Sequence, residues 1–211
     1  MELESIGGAD LATRSDLNGS WRLLYSNGRE IANLAQGLPF GFALGPTYQP
    51  LDLATGRFEN QGSIVNRYGV ARASTVVVGD VRLAPPNTLN AAGTRNSRNN
   101  RVDVDFKRIT FSLDEVFGKG VKLTKVLVPT LDTSAAQPAN DVTYLDATGN
   151  MRVTRGGDDA LFIFIRQESE RPMLSVAERE ELFASGGEGI KTGTGKASDS
   201  APPELRRLLR E

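Results

Sequence analysis

The sequence predicts a mainly β protein whose antiparallel strands form a sheet that closes, or nearly closes, into a barrel. Nine segments alternate apolar and polar residues with a period of two and are rich in β-branched and aromatic residues. Most of them are bounded by Gly, Pro, Asn or Asp. A sheet of nine short strands avoids unpaired edges when it curls and closes on itself. The length of 211 residues is typical of one domain with flexible ends.

The predicted strands run through most of the chain. The first, SWRLLYS (20–26), places Trp21, Leu23 and Tyr25 on one face. Turn sequences at 147–150 and 155–159 indicate that the last three strands form a meander. The other strand segments are TYQPLDL (47–53), RFENQGSIVNRY (57–68), VARASTVVVGDVRLA (70–84), RVDVDFKRITFSL (101–113), VKLTKVLV (121–128), VTYLDAT (142–148), NMRVTRG (150–156) and ALFIFIRQ (160–167).

The segment 29–46, REIANLAQGLPFGFALGP, breaks the β pattern after the first strand. Its first half has apolar residues at helical spacing, and its second half is apolar and rich in turn residues. We therefore expect a lid segment at one end of the barrel. Phe40, Phe42 and Leu44 are its candidates for burial, either against the barrel core or in a lipid interface.

Three further segments lie outside the strand pattern. The Asn-rich stretch 85–101 is expected to be a mobile loop. LSVAEREELFASG (174–186) is expected to be a short C-terminal helix, because Ser175 and Glu178 have the spacing of a capping box. Residues 186–211 are expected to be a flexible Gly/Ser-rich linker with a short basic amphipathic tail at its end.

Composition and charge exclude several classes of function. The 25 basic and 26 acidic residues nearly cancel, whereas nucleic-acid-binding proteins usually carry a strongly basic face. The chain contains neither cysteine nor histidine, so a Ser-His-Asp triad, a cysteine nucleophile and a usual zinc site cannot be built. No apolar window is long enough to span a bilayer as a helix. We expect no metal, no cofactor and no nucleic-acid partner.

The single tryptophan suggests how one end of the barrel is closed. Gly19 and Trp21 stand at the start of the first strand, where an indole can fill the base of a barrel. An arginine on one of the last strands can stack on the face of the indole. Arg155 and Arg166 are the candidates for this contact. The alternative is a core tryptophan and surface arginines that never meet. Either role is structural.

Aromatic residues on the predicted strands are the candidates for the barrel interior. A barrel of about eight strands either holds one small ligand or fills with its own side chains, and the sequence leaves both open. The candidate ligand-binding residues are Trp21, Tyr25, Phe58, Phe106, Phe111 and Phe162.

Motifs along the chain carry a family resemblance. The opening motif is Gly19, Trp21, Leu23, Tyr25 and Ser26; the middle one is YQPLD (48–52) with FENQG (58–62); the closing one is Asp146, Met151, Arg152, Arg155, Gly156 and Phe162. Over most of residues 16–167 the chain resembles the plastid lipid-associated proteins, the fibrillins of plastoglobules and thylakoids. The Glu59-Asn60 order departs from the Gln-Asn pair of that family.

The resemblance implies a lipocalin-like barrel domain over residues 16–185. Residues 1–15 would then be an N-terminal extension, truncated relative to the helical segment of the family, and no leader is visible in it. The implied function is non-catalytic. The protein would bind or shield an isoprenoid, quinone, carotenoid or lipid, or coat thylakoid or plastoglobule surfaces as a peripheral plastid protein.

Two other functions stay open on the sequence. One is a scaffold that recruits an enzyme of isoprenoid or quinone synthesis, with the barrel packed solid. The other is a barrel enzyme that acts on a lipid or carotenoid and uses Asp146 or Asp158 as acid or base. A carboxylate buried in a cavity away from arginine would favour the enzyme.

Overall fold

The computed structural model describes residues 2–28, 41–131 and 138–192. They form one ten-stranded sheet with short helices around it. The strands are β1 (Gly19–Ser26), β2 (Phe42–Asp52), β3 (Arg57–Asn66), β4 (Ala71–Leu83), β5 (Arg101–Val116), β6 (Lys119–Leu131), β7 (Ala139–Leu145), β8 (Met151–Gly156), β9 (Leu161–Arg166) and β10 (Glu188–Thr192). The helices are α1 (Glu2–Ser5) and α2 (Val176–Ala184), with 3-10 turns at Leu11–Thr13 and Ser15–Leu17.

Eight of the strands close into a ring, which confirms the predicted fold class. The neighbours run β5-β4-β3-β2-β1-β9-β8-β7, and the start of β5 pairs back onto β7 through residues 101–103. The later part of β5, from Ile109, leaves the ring and pairs with β6. The ring is therefore complete at the end that holds Trp21, here called the closed end, and splayed at the opposite, open end.

Each of the nine predicted strand segments corresponds to one of β1–β9, and the predicted meander is β7-β8-β9. Strand ends differ from the predicted ones by several residues, and two differences change the predicted role of a segment. Strand β2 begins at Phe42, so Phe42 and Leu44 are strand residues and not part of a lid. Residues 188–192, predicted as linker, form β10, which pairs in parallel with β6. Phe40 and the rest of 29–40 lie outside the described residues.

The core lies inside the closed end of the ring. It includes Trp21, Phe58, Val81, Val104 and Phe164, all buried. The N-terminal segment belongs to it as well, because Leu11, Ala12 and Leu17 of the two 3-10 turns are buried against the same cluster. Residues 11–17 thus seal the closed end from below.

The Asn-rich insertion, predicted as a mobile loop, is crossed by several hydrogen bonds in the structure. The Asn96 side chain donates to the carbonyl of Pro85 and accepts from the backbone N–H of Asn100. Arg101, buried at the start of β5, donates to the carbonyls of Thr88 and Thr94. In this segment, asparagine side chains therefore provide the hydrogen bonds that strand pairing provides elsewhere in the sheet.

The predicted capping box of α2 is present, since Ser175 and Glu178 satisfy each other's backbone N–H groups. The helix packs on the outer face of β4 and β5. Arg179 forms an ion pair with Asp80, and the Arg108 guanidinium lies 5.2 Å from the centroid of the Phe183 ring. No helix within the described ranges is long and apolar enough to cross a membrane.

Helix α1 is attached to the ring by an ion pair that makes stability depend on pH. The Arg155 Nε and Nη2 atoms donate to the Glu4 carboxylate at 2.8 Å. These hydrogen bonds, opposed by burial, lower the pKa of Glu4 below its ordinary 4.5. Because the folded pKa is depressed, this stabilisation is complete above pH 4.5 and is lost as pH falls through the folded pKa.

We expect Glu4→Gln to lower the free energy of unfolding at neutral pH by about 1 kcal/mol and to flatten its fall below pH 4.5. Urea unfolding at neutral and acidic pH measures both effects. An unchanged acid slope would contradict this account of the ion pair.

Candidate functional site

Trp21 fills the closed end of the ring. Its side chain is fully buried, and its Nε1 donates a hydrogen bond to the carbonyl of Leu17 at 2.9 Å. The partner carbonyl comes from the second 3-10 turn, immediately before β1. The short alternating strand and the turn before it therefore fix the indole together.

Arg166 of β9 stacks on the tryptophan, with its Cζ 4.4 Å from the centroid of the Trp21 ring. Its Nε donates to the carbonyl of Gly149 at 2.6 Å and its Nη1 to that of Asn18 at 2.8 Å, and its Nη2 donates to the carbonyl of Asp16. The guanidinium thus joins β9 to the turn before β1 and to the β7–β8 turn.

Gly19 makes room for this arginine. Its φ is +123°, a conformation that side chains rarely adopt, and a Cβ at this position would overlap with Arg166 Nη1. The glycine two residues before the tryptophan is therefore required by the arginine that closes the ring.

We expect Gly19→Ala to lower the free energy of unfolding by about 2–3 kcal/mol, because it adds backbone strain and displaces Arg166. Gly69→Ala is the matched control, since Gly69 also has a positive φ but a Cβ added there would meet no atom within 4 Å. Chemical denaturation compares the two variants. Equal destabilisation would show that the contact with Arg166 is unimportant.

A second arginine, Arg152 of β8, also lies against the indole. Its Cζ is 4.6 Å from the Trp21 centroid and 4.3 Å from the Phe164 centroid. Its Nη2 donates to the Gln49 side chain, while its Nε has no hydrogen-bond partner within the described residues. Complete burial, and then the charge of Arg166, lower the pKa of Arg152 to about 9. The side chain still carries its charge at neutral pH.

Two residues predicted for the site lie elsewhere. Arg155 points to Glu4 and does not contact the indole. A bulge in β1 shifts the register between Leu23 and Tyr25, so that Leu23 is opposite Phe164 but Tyr25 is opposite Ile163. Tyr25 therefore lies on the face opposite that of Leu23, and burial raises the pKa of its hydroxyl. The predicted common face of Trp21, Leu23 and Tyr25 holds only for the first two.

The closed end of the ring is packed with its own side chains. Phe58 and Phe106 meet edge to face with centroids 5.8 Å apart, and Phe162 and Phe164 are stacked with centroids 6.3 Å apart. The cavity left between these strands has a volume of about 20 Å³, which is the space of one water molecule. No ligand of lipid size fits there.

The open end of the ring forms a wide apolar trough. It has a volume of about 470 Å³. Across five neighbouring strands, Leu44, Ile64, Ala73, Leu113 and Leu123 lie directly opposite one another in the register. On β3 this row has the same facing as Phe58 of the core, so the trough continues the inner face of the ring. Its lining comprises Phe42, Ile64, Ala73, Ser74, Phe111, Ser112, Leu113, Leu123, Thr124 and Lys125.

Comparison with known proteins agrees with this architecture. A family model named PAP_fibrillin matches residues 1–165, which is well over half of the chain. The protein belongs to the PAP_fibrillin family. No curated protein and no solved structure gave a significant match. Membership of this family supports the assignment of the chain as a plastid lipid-associated protein.

The turn carboxylates of this PAP_fibrillin protein have structural partners. Asp146 accepts hydrogen bonds from the backbone N–H groups of Asn150 and Met151 and from the Thr148 hydroxyl. Burial opposes these hydrogen bonds, which nevertheless lower the pKa of Asp146. Asp158 accepts from the backbone N–H of Ala160. Within the described ranges, no group of three or more acidic side chains could hold a metal ion.

Proposed function

We propose that this PAP_fibrillin protein binds one apolar small molecule, a lipid, isoprenoid, quinone or carotenoid, in the open-end trough. It would hold or shield this molecule at a thylakoid or plastoglobule surface as a non-catalytic, peripheral protein. The observation that carries the proposal is the apolar trough of about 470 Å³. Small-molecule sites commonly have volumes of about 300–1,000 Å³ and are mostly apolar.

The contrast between the two ends of the ring supports this location. The closed end keeps only a cavity of about 20 Å³, whereas the trough is lined by side chains that remain partly exposed. Phe111 is 38% exposed and Leu123 is 62% exposed, and both lie where β5 pairs with β6 outside the ring closure. A bound hydrocarbon would remove this apolar surface from water, which is favourable.

The open side of the trough also suits a long ligand. From Ile109 onward β5 pairs with β6 instead of β7, so none of the described strands encloses the trough on that side. A chain longer than the trough could therefore extend past its rim. Such a site would select for apolar character and length more than for a particular headgroup.

Co-purification tests this function. The protein is produced in a host that contains carotenoids and quinones, and its organic extract is analysed by mass spectrometry. We expect a near-stoichiometric apolar molecule whose content falls about tenfold or more in the double variant Phe111→Ser/Leu123→Ser, because a large buried side chain contributes about 1.5–3 kcal/mol.

The matched control is Leu83→Ser, which changes an exposed leucine at the opposite end of β4. It should retain the ligand. A wild-type protein that carries no apolar molecule would contradict the proposal and favour a scaffold that recruits an enzyme of isoprenoid or quinone synthesis. Turnover of the extracted molecule by the purified protein would favour the enzyme.

A further inference from the structure

Two hairpin ends meet beside the mouth of the trough. The β3–β4 turn spans residues 67–70, and the β5–β6 turn is formed by Phe117 and Gly118. The backbone N–H of Phe117 donates to the carbonyl of Val70 at 2.7 Å, which joins the two turns. These turns, with the adjoining strand ends, are called the paired tips.

The paired tips expose large aromatic side chains. Phe117 is 76% exposed and Tyr68 is 64% exposed. Phe117 also has a φ of +48°, which is uncommon for any residue except glycine and costly for a bulky one. Neither burial nor turn geometry accounts for a phenylalanine here. An interaction made by the exposed ring would account for it.

Basic residues surround these aromatic rings. Segments 65–72 and 113–125 contain five basic and two acidic residues. Arg72 pairs with Glu115 and Lys125 with Glu188. That leaves Arg67, Lys119 and Lys122 without an ion-pair partner among the described residues, and the Arg67 Cζ lies 4.6 Å from the centroid of the Tyr68 ring.

We propose that the paired tips dock this protein on an anionic lipid surface, with Phe117 and Tyr68 inserted at the interface and the basic side chains on the headgroups. Exposed aromatic residues flanked by lysine and arginine suit the boundary between acyl chains and anionic headgroups. This inference rests on the proposed function and extends it, because docking through the tips turns the mouth of the trough toward the lipid from which a ligand would enter.

This orientation differs from contact through the lid residues predicted from sequence. Leu44 lies in the inner-face row of the trough, and Phe42 lines the trough itself. Phe42 and Leu44 thus belong to strand β2 on the trough side, whereas Phe117 and Tyr68 are exposed on the turns beside its mouth. The tips thus provide a lipid contact that leaves the trough lining free for a ligand.

Vesicle flotation of the full chain tests this docking. Vesicles of a zwitterionic phospholipid, with and without an anionic phospholipid, are compared for wild type, Tyr68→Ser/Phe117→Ser and Lys119→Glu/Lys122→Glu. We expect wild type to float best with anionic vesicles. The aromatic variant should bind about tenfold more weakly or worse, and the charge variant about fivefold more weakly for each residue changed.

The control is Leu83→Ser/Leu89→Ser, which removes exposed leucines from the closed-end side and should float like wild type. All changed side chains are exposed, and unchanged thermal unfolding would show that each variant is folded. Tip variants that float like wild type, or a wild type that does not float, would overturn the docking. Ligand content measured on the same samples is independent of flotation. A protein that retains its ligand but does not float therefore refutes the docking alone, whereas one that floats without ligand refutes the proposed function alone.

Discussion

Replacing Trp21 by alanine is expected to lower the free energy of unfolding by about 3–5 kcal/mol, as for other large aromatic residues removed from a core. The indole is fully buried, and the guanidinium groups of Arg152 and Arg166 both lie within 4.6 Å of its ring centroid. Its loss leaves a cavity and removes the aromatic faces on which both cations rest. This loss is a large fraction of the roughly 5–15 kcal/mol that stabilises a typical native protein.

Urea unfolding followed by far-ultraviolet circular dichroism measures this effect without relying on tryptophan fluorescence. Leu24→Ala is the matched control, because Leu24 lies on the same strand and is 54% exposed. It should change stability by less than about 0.5 kcal/mol. A Trp21 variant as stable as this control would mean that the closed end does not hold the ring together.

Replacing Asp141 by alanine is expected to cost about 3–5 kcal/mol, because a buried charge would lose its partner. Asp141 accepts from Arg101, whose side chain is only 1% exposed, through Nε at 2.5 Å and Nη2 at 2.8 Å. These two residues are directly opposite each other in the short β5–β7 pairing that closes the ring. The same substitution should therefore loosen the ring closure.

Two comparisons isolate this effect. Arg82→Ala, which breaks the pair between the exposed Arg82 side chain and Asp103 at 3.7 Å, should cost less than about 1 kcal/mol. The double variant Arg101→Met/Asp141→Leu should recover most of the lost stability, since no unpaired charge remains. Amide hydrogen exchange on residues 101–103 and 139–141 reports the closure directly. Normal protection in Asp141→Ala would contradict this role of the ion pair.

The sequence predicts the ring well because strand periodicity and turn chemistry are local. Patterns within a few residues predict the eight ring strands and β6. They also predict the meander and the capping box. Strand β10 is different, because its parallel pairing with β6 depends on contacts between segments far apart in the sequence. Its Gly-rich composition is typical of a linker and hides the strand.

The site is predicted less completely for two physical reasons. A single-residue bulge reverses the facing of every later residue in a strand, so Tyr25 leaves the face of Trp21 with no sign of it in the sequence. In MRVTRG, alternation favours Val153 as the inward residue, yet Arg152 faces the indole and Val153 is buried on the other face. Arg152 belongs to the closing motif, but the sequence gives no sign that its side chain meets the indole together with that of Arg166.

The two ends of the ring thus have different roles. The closed end stabilises the fold, and the open end provides the apolar surface proposed to bind a ligand. The most direct test of this division is photo-crosslinking with a fatty acid that carries a diazirine on its chain, followed by peptide mass spectrometry. We expect adducts on trough residues such as Phe111, Leu113 and Leu123, and we expect an excess of unlabelled lipid to remove them. Adducts confined to the closed end, or none that unlabelled lipid can displace, would contradict this division.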